Sequence, residues 1–368
     1  MVGILVMQLL LLLAHWFLFH SVVVFFPLFW GSAGAGATLV LRLLLLVLAF
    51  SFMAAALLSY RFANPFVIAI YKVAAVWLGF LNFFFFAACL SWLAKLGLAV
   101  AGQPGNRSWV PAVFFAAAFV AGSYGIANAR WARLRRVAVT LENLPPSWRG
   151  RTALVMSDLH LGHVNGLGFC RKVVRRAARL KPEIVLIPGD LFDGGKVDVT
   201  RLVAPFAQLT PPFGIYFTTG NHDEFGDVAE YTEALSAAGV RVLDGEKVTL
   251  DGLQLLGVAY NESTYPLHLR ATLESLHLKR NQASILLNHV PNRLPIVEQA
   301  GIGLQLSGHT HGGQIFPYNW FTRRIFGKFT YGLQTFGSMQ VYTSSGAGTW
   351  GPPMRVGTHP EMVLLTFA

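Results

Sequence analysis

Five short fragments hold the side chains of this chain best suited to metal chemistry. They are Ser157-Asp158-Leu159-His160, Gly189-Asp190, Gly220-Asn221-His222-Asp223, Asn288-His289 and Gly308-His309-Thr310-His311. Together they offer two carboxylates (Asp158, Asp190), one amide oxygen (Asn221) and four imidazoles (His160, His289, His309, His311), with His222 and Asp223 beyond those. Oxygen and nitrogen donors of this kind suit divalent transition ions. Seven donors serve two cations if one carboxylate is shared. Asp190 has two oxygens and follows a glycine, so it is the residue fit to bridge. A cation pair can clamp both the attacking and the leaving oxygen of an in-line displacement at phosphorus.

Taken singly, the fragments say little. A DxH triplet is common, and Asn221 alone reads as a turn residue tolerant of left-handed backbone. His289 follows Ile285-Leu286-Leu287 and alone reads as a core histidine. His309 and His311 alternate among Gly308, Gly312 and Gly313, as a tight loop wrapped around an ion would. The metal reading rests on all five fragments in this order.

Each fragment begins where an apolar run stops. Thr152–Ser157, Glu183–Pro188, Gly214–Thr219, Leu253–Val258, Ser284–Leu287 and Leu304–Ser307 read as strands, with shorter ones at Arg241–Leu243 and Lys247–Leu250. Helical patterns fall near Leu167–Leu180, Val199–Gln208, Val228–Ala238 and Leu294–Gln299. The β-α-β rhythm predicts a layered α/β domain over residues 151–368 with mostly parallel central strands. Sheets of that kind gather ligand groups at the carboxyl ends of their strands.

The 368-residue chain has room for a second region. Residues 1–128 contain no Asp or Glu, so all 18 acidic residues lie beyond them. Four apolar stretches, about 3–26, 38–60, 66–94 and 109–127, approach or exceed the roughly 20 residues that span a bilayer. None has the polar face of a soluble helix. The first lacks a basic leader and outruns a typical signal core, which predicts a span and not a cleaved signal. Arg130, Arg133, Arg135 and Arg136 mark residues 129–150 as a basic juxtamembrane linker. With Arg61 and Lys72 on the same side, and only Lys95 and Arg107 opposite with Arg42 near an end, the positive-inside rule places both termini and the catalytic part in the cytoplasm of a multi-pass cell-membrane protein. The net charge of +11 fits membrane lipids as partners. No aromatic RNA-binding motif appears, so no nucleic-acid partner is expected. Two cysteines make no disulfide framework.

The order DxH, GD, GNHD, NH, GHTH resembles the calcineurin-like metallophosphoesterase superfamily. It is most similar to a bacterial, membrane-associated branch carrying GHTHGGQ, here Gly308 to Gln314. The tail is similar too: Ser345-Gly346-Ala347-Gly348-Thr349, Pro353-Met354-Arg355 and Pro360-Glu361. The resemblance implies a β-sandwich flanked by helices. It implies one ion held by Asp158, His160, Asp190 and His311, and a second by Asp190, Asn221, His289 and His309. Manganese is the first expectation, with Fe, Zn, Co or Ni also suited. A water activated between the ions would attack, His222 would protonate the leaving oxygen, and Asp223 would orient its ring. The chain departs from the pattern at Ala259-Tyr260-Asn261-Glu262, where relatives carry an Asp pair.

The implied reaction is hydrolysis of a phosphodiester or pyrophosphate bond in a lipid-linked or nucleotide-linked compound. The competing reading is a non-catalytic membrane scaffold or sensor on the same fold. The segment Ile315–Lys328 interleaves aromatics and cations. It reads either as a loop that dips into the membrane interface beside the site or as one whose aromatics pack on their own domain.

Overall fold

The computed structural model describes residues 2–27, 34–103 and 107–368. They fall into two compact units, Met1–Ala127 with Gly351–Met354, and Asn128–Trp350 with Arg355–Ala368.

The first unit contains α1 (Val2–Phe25), α2 (Gly34–Ser59), α3 (Pro65–Val100) and α4 (Trp109–Ala129). All four are long and apolar enough to cross a membrane. Helix α3 starts where Asn64 accepts a hydrogen bond from Val67 N, with Pro65 in the first turn, and it continues six residues past the expected end at 94. Several polar groups in these helices find partners within the helical unit, the arrangement a hydrocarbon surrounding would require. His15 Nδ1 meets Leu11 O at 2.7 Å and its Nε2 accepts from Trp77 Nε1 at 2.8 Å. His20 stacks between Trp16 and Trp92. Both histidines therefore serve helix packing.

The second unit is a sandwich of two six-stranded sheets. One sheet is built from β1 (Arg133–Val139), β2 (Thr152–Val155), β3 (Ile184–Pro188), β4 (Ile215–Thr218), β5 (Val240–Val242) and the C-terminal β12 (Glu361–Phe367), in the order β1-β12-β2-β3-β4-β5. The other contains β6 (Glu246–Leu250), β7 (Leu253–Val258), β8 (Ser284–Asn288), β9 (Leu304–Ser307), β10 (Gly332–Phe336) and β11 (Met339–Thr343), in the order β10-β11-β9-β8-β7-β6. Strands β2 to β5 run parallel in the first sheet, and β7 to β9 in the second. Helices α5 (Leu167–Leu180), α6 (Val199–Val203) and α7 (Val228–Ala237) cover the first sheet; α8 (Tyr260–Thr264), α9 (Pro266–Ser275) and α10 (Leu294–Gln299) lie on the side of the second. Helix α11 (Tyr318–Phe326) follows the last histidine loop.

Alternation along the strands explains the layering. Ala153, Val155, Ile184 and Leu186 meet Leu255, Ile285, Leu287, Leu304 and Leu306 between the sheets. Leu154, Val185 and Ile187 point the other way, against α5 to α7. Burial on both faces is why these strands read as unbroken apolar runs. Each such Leu or Ile contributes roughly 1.5–3 kcal/mol.

Residues 129–150 are not a linker. Arg133 to Val139 pair in parallel with β12, Arg133 opposite Glu361, and form the edge of the first sheet. Leu141, Leu144 and Trp148 sit in the core between the sheets. Exposed Arg133, Arg135 and Arg136 suit an edge strand, where cations discourage pairing with other chains. The same composition mimics a juxtamembrane cluster.

Candidate metal centre

The parallel strands deliver the five fragments to one rim. Asp158 and His160 follow β2, Asp190 follows β3, Asn221 and His222 follow β4, His289 follows β8, and His309 and His311 follow β9. The turns needed there are tight. Asp158, His160, Asp190, His309 and His311 all have φ between 45° and 69°, a region that non-glycine residues rarely occupy. Strain of this sort persists where surrounding structure holds it, and it clusters at functional sites. The adjoining glycines give room. Gly189 has φ +86° and a side chain there would strike the His289 ring; one at Gly308 would strike Ser157 and Asp158.

All seven candidate donors converge. Asp158, His160 and His311 form one cluster, and Asp190, His289 and His309 another. In the first, His160 Nε2 lies 3.0 Å from His311 Nε2, and His311 Nε2 lies 3.4 Å from Asp158 Oδ1. In the second, His289 Nε2 lies 3.1 Å from Asp190 Oδ2, and Asn221 Oδ1 lies 2.9 Å from His309 Nδ1. Asp190 Oδ2 is also 3.7 Å from His160 Nε2, so this carboxylate faces both clusters. Donor atoms about 2.1 Å from one ion lie about 3.0 Å apart at right angles and about 3.4 Å apart at the tetrahedral angle. The observed spacings match those edges. His289 Nε2 is buried with the Asp190 carboxylate as its near neighbour but no aligned hydrogen bond, an arrangement that a cation between the two would satisfy. The donor set fits two divalent ions.

Each cluster holds one proton-rich and one proton-poor imidazole. Burial would lower His289, but Asp190 and then Asp158 lift it to about 9. His309 is pushed down to about 3 by burial and then by the His289 charge. In the first cluster burial opposes His160, and Asp193 followed by Asp190 raises it. His311 lies well below the usual imidazole value through burial and then the Arg355 charge.

The calcineurin-like phosphoesterase family matches residues 151–313. A protein of Aquifex aeolicus called an uncharacterized metallophosphoesterase is 30% identical over 256 residues, covering 68% of this chain and 97% of that one. A Danio rerio protein called a transmembrane protein with metallophosphoesterase domain is 31% identical over 314 residues, covering 79% of this chain and 71% of that one. This chain belongs to the calcineurin-like phosphoesterase family. The membership and the donor clusters agree on a metal-dependent phosphoesterase.

One expected role of this calcineurin-like chain needs correction. Asp223 does not orient His222. Its carboxylate accepts from the backbone N–H groups of Asp190, Phe192 and Gly220 at 2.8, 2.8 and 2.7 Å, so it ties the GD and GNHD loops together. The carboxylate beside the imidazole is Asp193, whose Oδ1 lies 3.8 Å from His222 Nδ1 and 3.3 Å from His160 Nδ1. Burial and then His160 pull His222 below the usual imidazole value, and Asp190 and Asp193 oppose that shift. The second aspartate of Gly189-Asp190-Leu191-Phe192-Asp193 was the signal that pattern reading passed over.

Three more residues of the site carry no signal in the pattern. Arg355 is completely buried. It donates to His311 O at 2.8 Å and Gly348 O at 2.6 Å, and its Nη2 lies 3.1 Å from His311 Nδ1. Burial lowers it only to about 10, so it stays charged at neutral pH. The Ser345–Gly348 segment it braces runs under the site, where Ala347 N and Gly348 N donate to Ser157 O and Asp158 O. Buried Glu361 holds the same segment from the far side, accepting from Ser345 N, Tyr331 OH and Tyr342 OH. Tyr260, at the departure from the family pattern, sets its ring 6.5 Å from His289 and 6.4 Å from His309.

Proposed function

We propose that this chain is a two-cation phosphoesterase that hydrolyses a phosphodiester or pyrophosphate bond in a lipid-linked or nucleotide-linked compound. The observation that carries the reading is the convergence of seven donors at ligand-edge spacing with His222 beside them. Asp158, His160, Asp190 and His311 would hold one ion, and Asp190, Asn221, His289 and His309 the other. Bound there, the ions would neutralise phosphate charge and acidify a water. Manganese is the first choice.

The chain's own groups divide the remaining work. Asp190 faces both clusters and also accepts from His222 N at 2.9 Å, so the proton donor is mounted on the shared carboxylate. With Nδ1 turned toward Asp193, His222 has Nε2 free to protonate a departing oxygen. Phe225 and Trp350 flank its ring at 5.0 and 5.6 Å, which restricts water around that proton.

Four membrane-length helices and the wording of the Danio rerio relative's name support an integral membrane protein. The Lys/Arg bias supports a cytoplasmic catalytic unit in the cell membrane, with membrane lipids as partners.

The purified full chain, loaded with Mn, is expected to hydrolyse bis(4-nitrophenyl) phosphate. His222→Ala should lower kcat by about 10²–10⁴-fold while both ions stay bound. Equal inertness of wild type and variant at full metal occupancy would favour the scaffold or sensor reading.

A further inference from the structure

Helix α11 has no buried residue, although it is built directly onto the histidine loop. Thr310 Oγ1 donates to Thr330 O at 2.7 Å, and Thr330 Oγ1 donates to Thr322 O and Gly327 O. A side chain at Gly313 would collide with the backbone of Asn319, and the Phe326 ring lies 5.9 Å from that of His309. The inner side of the segment is thus tied to a candidate ligand, and its large apolar groups are left outside. Trp320 is 65% exposed, Phe321 62% and Ile325 71%, with Tyr318 and Phe316 also exposed. Arg323, Arg324 and Lys328 are exposed beside them. Trp320 and Phe321 therefore do not pack into the core of their own domain.

A contiguous exposed apolar group on a soluble face marks an interaction site. Aromatic and aliphatic side chains beside a cluster of cations match a surface that lies in the headgroup layer of an anionic bilayer. The chain's own membrane-length helices keep such a bilayer close to it. We propose that α11 inserts its exposed Trp320, Phe321 and Ile325 into an anionic lipid surface and thereby presents to the metal centre a phosphoester whose remainder stays in the lipid. This rests on the phosphoesterase reading and names its substrate class.

Two arms test it on the full chain in nanodiscs of phosphatidylcholine with and without phosphatidylglycerol. In the first, the double variant Trp320→Ser, Phe321→Ser is assayed on the 4-nitrophenyl ester of phosphatidic acid in the disc and on soluble bis(4-nitrophenyl) phosphate. The expected result is a loss of about tenfold or more on the lipid ester and an unchanged rate on the soluble one. In the second arm, a nitroxide on Ile325→Cys is expected to be oxygen-accessible, as in lipid, and more so with phosphatidylglycerol present, relative to the labelled parent chain. Equal losses on the two substrates, or a label with water-like accessibility in both disc types, would overturn the proposal. Spin–spin broadening between labels would assign the face to a second copy and overturn it as well. If wild type hydrolyses neither substrate with both ions bound, the phosphoesterase reading fails on its own, and the label still reports on α11.

Discussion

The two donor clusters differ in what stands behind their imidazoles. In the first, the outer nitrogens face charge: His160 Nδ1 looks onto the Asp193 carboxylate and His311 Nδ1 onto the Arg355 guanidinium. In the second, the backing is neutral. His289 Nδ1 meets the carbonyl of Pro188 at 2.9 Å, whereas His309 Nδ1 is turned inward, toward the neutral donor Asn221 Oδ1. A backbone carbonyl fixes an imidazole's orientation and tautomer with little effect on its charge. A carboxylate and a guanidinium set orientation and also tune donor strength in opposite senses. The first cluster is therefore the electrostatically adjustable half, and it adjoins the proton donor His222. The second is held by geometry.

The largest expected effect removes the comparison altogether. Asp190 is the one described side chain that faces both clusters, through His289 at 3.1 Å and His160 at 3.7 Å. Asp190→Ala should bring metal content from two ions to at most one and lower activity by about 10³-fold or more, the equivalent of several kcal/mol of charge stabilisation. Metal analysis of the purified variant beside its rate checks this. Two ions retained at a near-normal rate would mean that the clusters do not share a carboxylate.

Next in size is a change confined to the charged half. Asp193→Asn keeps the shape and removes the charge, and should reduce activity about 10–100-fold. The loss should fall on kcat and shift the pH profile, because His222 and His160 share this carboxylate. Asp223→Asn should instead lower thermal stability, since its three backbone hydrogen bonds join two loops and the imidazole is not among its partners. Reversed outcomes for the two aspartates would restore the original assignment of Asp223.

That pair also shows what pattern reading can reach. The five donor fragments were legible because each begins at the carboxyl end of an apolar run, so strand ends alone implied a common rim. The four long apolar helices were legible from their length and lack of acidic residues. Asp193 was not, because its partners His160 and His222 come from other strands and no local spacing links them. Arg355 lies in the tail at Pro353-Met354-Arg355, where nothing nearby indicates that a cation is sealed in the interior behind His311. Strand β1 was hidden by its arginines, which an edge strand tolerates and a membrane-flanking segment also favours. Helix α11 reads as a loop in the sequence because its apolar residues cover no core.

The smallest effect separates the halves by their protons. Without metal, His289 stands near 9 and is protonated at pH 7, whereas His309, near 3, is already in the neutral form that binds metal. A cation entering the second cluster must displace the His289 proton. Its apparent affinity should then rise about tenfold per pH unit below about 9 and flatten above, the slope expected for one proton released. Calorimetry of Mn binding at pH 7 in buffers of different ionisation enthalpy counts the protons. In the first cluster His160 is raised chiefly by Asp193, so Asp193→Asn should cut the number released from that half and leave the His289 proton in place. An unchanged count in the variant would place all of the released charge in the geometrically held half, and Asp193 would then act on His222 alone.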